Sequence, residues 1–115
     1  MTEFLDKAIT AHSAWKMRLR DAINGKQQVD PAAVGKDNLC DLGKWIHGEG
    51  CAHQSTPEYQ TLKTRHAEFH VCAGKVAQMV KDGKTADAGK ALDGPEFAGA
   101  STRVVAAIGV LKKLV

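Results

Sequence analysis

Apolar residues recur along this chain with the three- and four-residue spacing of amphipathic helices. The first run begins at Thr2 and ends at Asn24-Gly25, where a glycine can adopt the backbone conformation that terminates a helix. His12 falls inside the apolar stripe of this run, so we expect its imidazole to face the interior. The apolar positions of the stripe are Phe4, Leu5, Ala8, Ile9, Trp15, Leu19 and Ile23.

A second, shorter helix is predicted from Pro31 through Ile46, up to the break at Gly48. Cys40 lies midway along this predicted helix, and Gly43 follows it by three positions. Because a glycine inside a helix costs about 1 kcal/mol relative to alanine, Gly43 needs a reason to be there. We expect another part of the backbone to approach closely at this point.

The third predicted helix starts at residues 55–58, where Ser-Thr-Pro-Glu has the pattern of a capping box with Ser55 as the cap. It continues to Gly83. His66 and His70 lie one turn apart in the same row as its apolar residues. These apolar residues are Tyr59, Leu62, Phe69, Ala73, Val76, Ala77 and Val80.

The remaining sequence completes an all-helical pattern. Residues 86–92 can form a short helix before Asp93-Gly94-Pro95, and a final amphipathic run follows. The pattern contains no paired strands and no repeats. For a chain of 115 residues we therefore predict an all-α fold, an antiparallel four-helix bundle with a short additional helix, forming a single domain over residues 1–115.

Charge and composition exclude several classes of partner. The 16 Lys and Arg residues against 13 Asp and Glu give a net charge of +3, and the basic residues are scattered instead of forming the patch that nucleic-acid binding requires. No run approaches the ~18 apolar residues of a membrane span, and the opening residues do not form a basic-then-apolar leader. We expect a cytoplasmic protein that binds neither nucleic acid nor membrane.

Four side chains form a candidate metal site. They lie on or beside the apolar stripes of three predicted helices, where an unsatisfied polar group costs roughly 1–3 kcal/mol. A shared ion would satisfy all four, and imidazole with thiolate is a donor set that zinc prefers. We predict one Zn²⁺ bound by His12, Cys40, His66 and His70. Four protein ligands close the coordination shell, so we expect no enzymatic activity.

Other interpretations of these residues are kept open. Taken alone, His12 would more often be a core histidine bonded to a backbone carbonyl, and Cys40 a small buried hydrophobe. His47 shares the predicted helix face of Cys40 and is the best rival ligand, while Cys51 and His53 are expected in the loop beyond.

The residues around the candidate site have supporting roles. Cys72 lies roughly opposite His70 on its helix and is interpreted as a buried or interhelical thiol. Asp41 and Glu68 flank proposed ligands, and we hypothesise that they orient an imidazole without binding the metal themselves. The large aromatic residues are assigned to core packing: Trp15, Trp45 and Phe69.

Eight positions form a motif with characteristic gaps: His12, Trp15, Cys40, Leu42, Gly43, Trp45, His66 and His70. With these residues the chain resembles the bacterial chemoreceptor zinc-binding (CZB) domain family, by motif from His12 to His70 and by general pattern onward to the final helix. The resemblance implies a helical bundle, usually dimeric, in which three histidines and one cysteine hold a single zinc ion.

The resemblance also implies a regulatory role. Family members are attached to chemoreceptors or diguanylate cyclases and report zinc or oxidants such as hypochlorous acid. We therefore expect a homodimer that controls a partner in chemotaxis or cyclic-di-GMP signalling. This chain carries neither a signalling coiled coil nor a cyclase domain, so it looks like a stand-alone member or an excised module, and its output partner stays open.

Two alternative functions remain. A di-iron or oxygen-binding bundle would need paired carboxylates such as Glu-x-x-His on facing helices, which this sequence lacks. A purely structural interaction module, in which zinc is only a staple, would use the same ligands. Zinc binding of about 10–16 kcal/mol against a net domain stability of ~5–15 kcal/mol favours a metal-dependent conformation, and we expect the second helix to loosen first.

Overall fold

The computed structural model describes residues 2–114, and it is 80% helical with six α-helices and no strands in that part of the chain. This confirms the prediction of an all-α helical bundle. None of these helices combines the length and the apolar character needed to cross a membrane. The elements are α1 (Thr2–Ile23), α2 (Pro31–Val34), α3 (Asp41–His47), a 3-10 helix (Glu49–His53), α4 (Pro57–Lys81), α5 (Thr85–Asp93) and α6 (Pro95–Lys112).

The three long helices, α1, α4 and α6, pack against one another and form most of the core. Helix α5 packs on all three. Burial of each large apolar side chain contributes about 1.5–3 kcal/mol, and the long helices supply most of the buried residues of one core cluster that also includes Val34, Leu42, Trp45 and Ile46. Fully buried residues include Leu5 and Leu19 on α1, Leu62 and Phe69 on α4, and Val104 and Ile108 on α6.

The prediction of one continuous helix from Pro31 through Ile46 is wrong, because the segment is divided. Helix α2 ends at Val34, and α3 begins only at Asp41. Cys40 is therefore not in the middle of a helix. It lies in extended conformation, with φ −77° and ψ 162°, as the N-cap of α3.

The close backbone approach predicted at Gly43 is confirmed, and it explains the break. A Cβ atom on Gly43 would lie 1.8 Å from the carbonyl oxygen of Asp37 and 3.0 Å from the Cα of Asn38. The loop that joins α2 to α3 thus packs directly on the first turn of α3. Only a residue without a side chain fits there.

The ends of the long helices were predicted well, with one correction. Positive φ angles at Gly25 (75°) and Gly83 (78°) follow α1 and α4 as expected. The cap of α4, however, is Thr56 and not Ser55. The Thr56 hydroxyl accepts a hydrogen bond from the Tyr59 amide at 3.2 Å and donates one to the His53 carbonyl at 2.7 Å.

Replacing the true cap should therefore cost more stability than replacing its neighbour. We expect Thr56→Ala to lower the free energy of unfolding by about 1 kcal/mol, since an N-cap hydroxyl satisfies a free amide of the first turn. Ser55→Ala is the matched control and should change it by less than about 0.5 kcal/mol. Urea denaturation of both variants measures the difference, and a larger effect at Ser55 would contradict the assignment.

Candidate metal centre

The fold brings the four predicted donors into one cluster. His12 comes from the middle of α1, Cys40 from the start of α3, and His66 and His70 from consecutive turns of α4. One ligand atom of each lies within 4.8 Å of all the others. The three histidines are at most 2% exposed, whereas Cys40 is half-buried.

The distances between the donor atoms suit a single ion. The Nε2 atom of His66 lies 3.1 Å from the Nε2 atoms of both His12 and His70. The Cys40 sulfur lies 3.2 Å, 3.6 Å and 3.9 Å from the Nε2 atoms of His66, His70 and His12, respectively. A tetrahedral zinc ion would separate its nitrogen ligands by about 3.3 Å and nitrogen from sulfur by about 3.6 Å. The residues present therefore fit the ion that their chemistry suggests.

Backbone carbonyl groups set the orientation of two of the rings. The Nδ1 atom of His12 lies 2.8 Å from the carbonyl oxygen of Ala8, and Nδ1 of His70 lies 2.9 Å from that of Val34. Because a carbonyl oxygen only accepts, each Nδ1 must carry the proton. Each Nε2 then presents a lone pair to the centre of the cluster, as a metal ligand must.

His66 differs from the other two histidines. Its Nδ1 atom is buried and has no hydrogen-bond partner within residues 2–114. Its Nε2 atom lies between the Nε2 atoms of His12 and His70, at 3.1 Å from each. Because the Nε2 atoms of His12 and His70 can only accept, these three nitrogens need either a proton from His66 or a shared cation between them.

Burial keeps the imidazoles in their ligand form. It is the main cause that lowers the pKa of His12 to about 4 and that of His66 to about 2. Neighbouring histidines contribute to both shifts, and the Ala8 carbonyl opposes the shift of His12. Burial also lowers the pKa of His70, against the opposing effect of the Val34 carbonyl. The pKa of the Cys40 thiol is raised by burial, although the Gly43 amide, 3.4 Å from the sulfur, acts in the opposite direction.

The rival ligands lie outside the cluster. His47 Nε2 pairs with Asp37 at 3.3 Å, and the His53 ring stacks on Trp45 with centroids 6.0 Å apart. Cys51 is exposed, and Cys72 contacts Glu96 on α6 with its sulfur 3.8 Å from the carboxylate. Within the described chain, metal-binding side chains gather in one group of three or more, formed by the four predicted residues.

The hypothesis that carboxylates orient the imidazoles is not supported by the contacts. Glu68 pairs with Arg65 at 3.0 Å, and the charge of Asp41 acts only to raise the pKa of Cys40. The groups that sequence reasoning missed are the two backbone carbonyls. Ala8 could have been found, because it precedes His12 by one helical turn. Val34 could not, because it reaches His70 only through the packing of α2 on α4.

Two of the three predicted aromatic residues, Phe69 and Trp15, border the cluster. Phe69 meets the rings of His12 and His70 edge-on, with centroids 5.4 Å and 5.5 Å apart, and Trp15 lies 6.3 Å from His70. Both aromatic residues are buried, as is Trp45. They exclude water from one side of the donors, which strengthens electrostatic interactions with a bound cation.

Comparison with known families identifies the same region. The family model described as the chemoreceptor zinc-binding domain matches residues 12–77, a stretch that includes all four donors. No curated protein and no solved structure matches the chain.

The buried imidazoles predict how the stability of the metal-free protein depends on pH. Unfolded imidazoles bind protons below about pH 6.5, whereas His12 and His66 stay neutral in the fold until about pH 4 and 2. The unfolded chain therefore binds more protons below pH 6.5, and the free energy of unfolding falls as the pH drops. Three such groups give a slope of at most ~4 kcal/mol per pH unit.

Urea denaturation of the chelator-treated protein between pH 7.5 and pH 5 measures this slope. His66→Gln removes one of the three groups and should reduce the slope by about a third. A free energy of unfolding that is constant over this range would show that the imidazoles are not buried in neutral form.

Proposed function

Because this chain belongs to the chemoreceptor zinc-binding domain family, we propose that it is a zinc-dependent regulatory domain. In this proposal His12, Cys40, His66 and His70 hold one Zn²⁺, and the state of that site sets the conformation of residues 31–47. The observation that carries the proposal is the convergence of four donor atoms within 4.8 Å of one another, drawn from three separate helical segments.

The chemistry of the donors favours zinc and a role other than catalysis. Thiolate with imidazole suits zinc, and four protein ligands fill its tetrahedral shell, whereas a catalytic site keeps one position for water. The alternative of a di-iron centre would require carboxylates in the cluster. The group found among residues 2–114 consists of three histidines and a cysteine.

The architecture supports a conformational response to the metal. Helices α1, α4 and α6 have 22, 25 and 18 residues, whereas α2 has only four and α3 has seven. Helices this short are unstable without tertiary contacts. Cys40 links this weakly held segment to donors on the long helices, so loss of the metal would act on residues 31–47 before it acts on the rest of the bundle.

Cys40 also gives the site a response to oxidants. Cys40 borders two cavities of about 330 Å³ each, both also lined by Trp15 and Arg18, through which small molecules could approach. Hypochlorous acid would transfer its chlorine to the Cys40 thiolate and release hydroxide, so that the sulfur loses two electrons. Water would then replace the chlorine, forming sulfenic acid and releasing chloride and a proton. The sulfenic acid is a poorer ligand than the thiolate, so oxidation would loosen the same segment as metal loss.

The biological setting is proposed from the family. Homodimer formation, a cytoplasmic location and control of a chemoreceptor or diguanylate cyclase type of partner follow the resemblance. The change in conformation of residues 31–47 would then alter the contact with the partner protein. Affinity capture from cell extract with zinc present and after chelation tests whether a partner distinguishes the two states.

The purified protein should contain one zinc per chain that survives dialysis. Replacing Cys40 and His66 together by alanine should remove it, because two ligands cannot retain the ion against a chelator. The matched control replaces His53 and Cys72, which have the same side-chain chemistry outside the cluster, and should keep the wild-type metal content. Metal analysis of the three proteins measures the zinc content per chain, and the absence of zinc from the wild-type protein would contradict the proposal.

Zinc removal, or one equivalent of hypochlorous acid, should raise amide hydrogen exchange in residues 31–47 by about tenfold or more. Exchange in α6 should change by less than about twofold. These measurements are made on the same zinc-loaded sample before and after each treatment. Equal protection of residues 31–47 in both states would favour the alternative of a purely structural zinc staple.

The oxidant response has its own control. A variant with Cys51→Ala and Cys72→Ala keeps Cys40 as its single cysteine, and it should release zinc to a chromophoric chelator at the same dose of oxidant as the wild type. Loss of the response in this variant would assign the reactive thiol to Cys51 or Cys72 and contradict the role proposed for Cys40.

A further inference from the structure

The backbones of α2 and α4 meet at two glycines. Gly35 directly follows α2, and Gly74 lies on α4, one turn beyond His70. A Cβ atom on Gly74 would lie 2.8 Å from the Cα and 3.2 Å from the nitrogen of Gly35. Both neighbours are backbone atoms, which cannot turn aside as a flexible side chain could. Any side chain at position 74 therefore has to move α2 away from α4.

The same packing contact contains a hydrogen bond to a proposed ligand. Val34 immediately precedes Gly35, and its carbonyl oxygen accepts the Nδ1–H of His70 at 2.9 Å. Along α4, His70 and Gly74 are one turn apart and share a face. The glycine contact and the hydrogen bond are therefore adjacent parts of the α2–α4 interface. The close contact between Gly35 and Gly74 sets how near the Val34 carbonyl lies to His70.

We propose that Gly74 is a positioning residue for the metal centre. By letting α2 lie against α4, it places the Val34 carbonyl where it holds His70 in the tautomer and orientation that metal binding needs. This inference rests on the proposed function, because it assigns the residue that prepares one ligand of the proposed zinc site.

The position of α2 also affects the placement of a second proposed ligand, Cys40. Cys40 lies five residues after Gly35, and the intervening loop packs on Gly43 through Asp37. The start of this loop is fixed by the α2–α4 contact and its end by the Gly43 contact. A shift of α2 would therefore disturb both His70 and the approach of the Cys40 sulfur to the cluster.

The variant Gly74→Ala tests the inference, and Gly109→Ala is its matched control. Position 109 is a glycine within α6 at which an added Cβ meets nothing within 4 Å. Alanine favours a helix over glycine at both sites, so a weaker metal site in Gly74→Ala would not reflect lower helix propensity. In competition with a chromophoric chelator, we expect Gly74→Ala to bind zinc about 10–100-fold more weakly, and Gly109→Ala to stay within about twofold of the wild type.

Nuclear magnetic resonance of the histidine rings separates positioning from general destabilisation. The Nδ1–H of His12 is held by Ala8 inside α1, independently of α2. In Gly74→Ala the hydrogen-bonded Nδ1–H signal of His70 should be lost or move, while the signal of His12 should keep its position. Equal loss of both signals would indicate a general loosening of the fold and overturn the inference.

A second variant keeps the test decisive if Gly74→Ala does not fold. Asp30 is exposed and caps α2 by accepting the amide of Ala32 at 3.1 Å. Asp30→Ala should loosen α2 from its solvent side and weaken the His70 signal alone. Unchanged His70 signals in every folded variant would overturn the inference.

The ring signals can be followed in the metal-free protein as well. If the wild type binds no zinc, the proposed function fails, but a selective loss at His70 would still support the positioning of its ring by Gly74. If the wild type binds zinc and Gly74→Ala binds it equally well, the inference fails and the proposed function stands.

Discussion

Three imidazole rings turn their Nε2 atoms toward one another and toward the sulfur of Cys40 inside this bundle. Two of the rings use Nδ1–H to reach carbonyl groups, so their Nε2 atoms have no proton to share. Buried acceptors this close need a proton donor or a cation between them, because leaving them unsatisfied is costly. Much of the surrounding structure can be understood as the means of holding these four groups where one cation satisfies them.

The parts of the fold that hold the donors are unequal in strength. His12, His66 and His70 belong to α1 and α4, which pack through fully buried apolar side chains. Cys40 belongs to a segment made of two short helices and a loop. Its position depends on close backbone contacts at Gly43 and at Gly74, where an added side chain would collide with the loop and with Gly35, respectively. The site therefore joins a stable platform of nitrogen donors to a less stable carrier of the sulfur donor.

The sequence was sufficient for the long helices and the donors, and the reasons are physical. Periodic apolar residues determine which face of α1 and α4 is buried, and a histidine in that row must face inward. Cys40 joins the three histidines in the predicted cluster although its predicted helix is absent, because its side chain reaches the cluster from the cap of α3. The break between α2 and α3 was missed because residues 39–46 carry helical spacing. Close backbone contacts accompany the break, between Asp37 and Gly43 and between Gly35 and Gly74, and the spacing of apolar residues does not indicate such contacts.

His66 is held differently from the other two histidines, because its buried Nδ1 has no hydrogen-bond partner in the described chain. His12 and His70 are oriented by carbonyl groups, whereas Nδ1 of His66 has no such partner there. Its ring is held by its place between the other two and by the rigidity of α4, where it precedes His70 by one turn. The orientation of His70 thus matters for two ligands. Because that orientation depends on a carbonyl from α2, the short segment that carries Cys40 also supports the histidine platform, and the two halves of the site are coupled through the packing of α2 on α4.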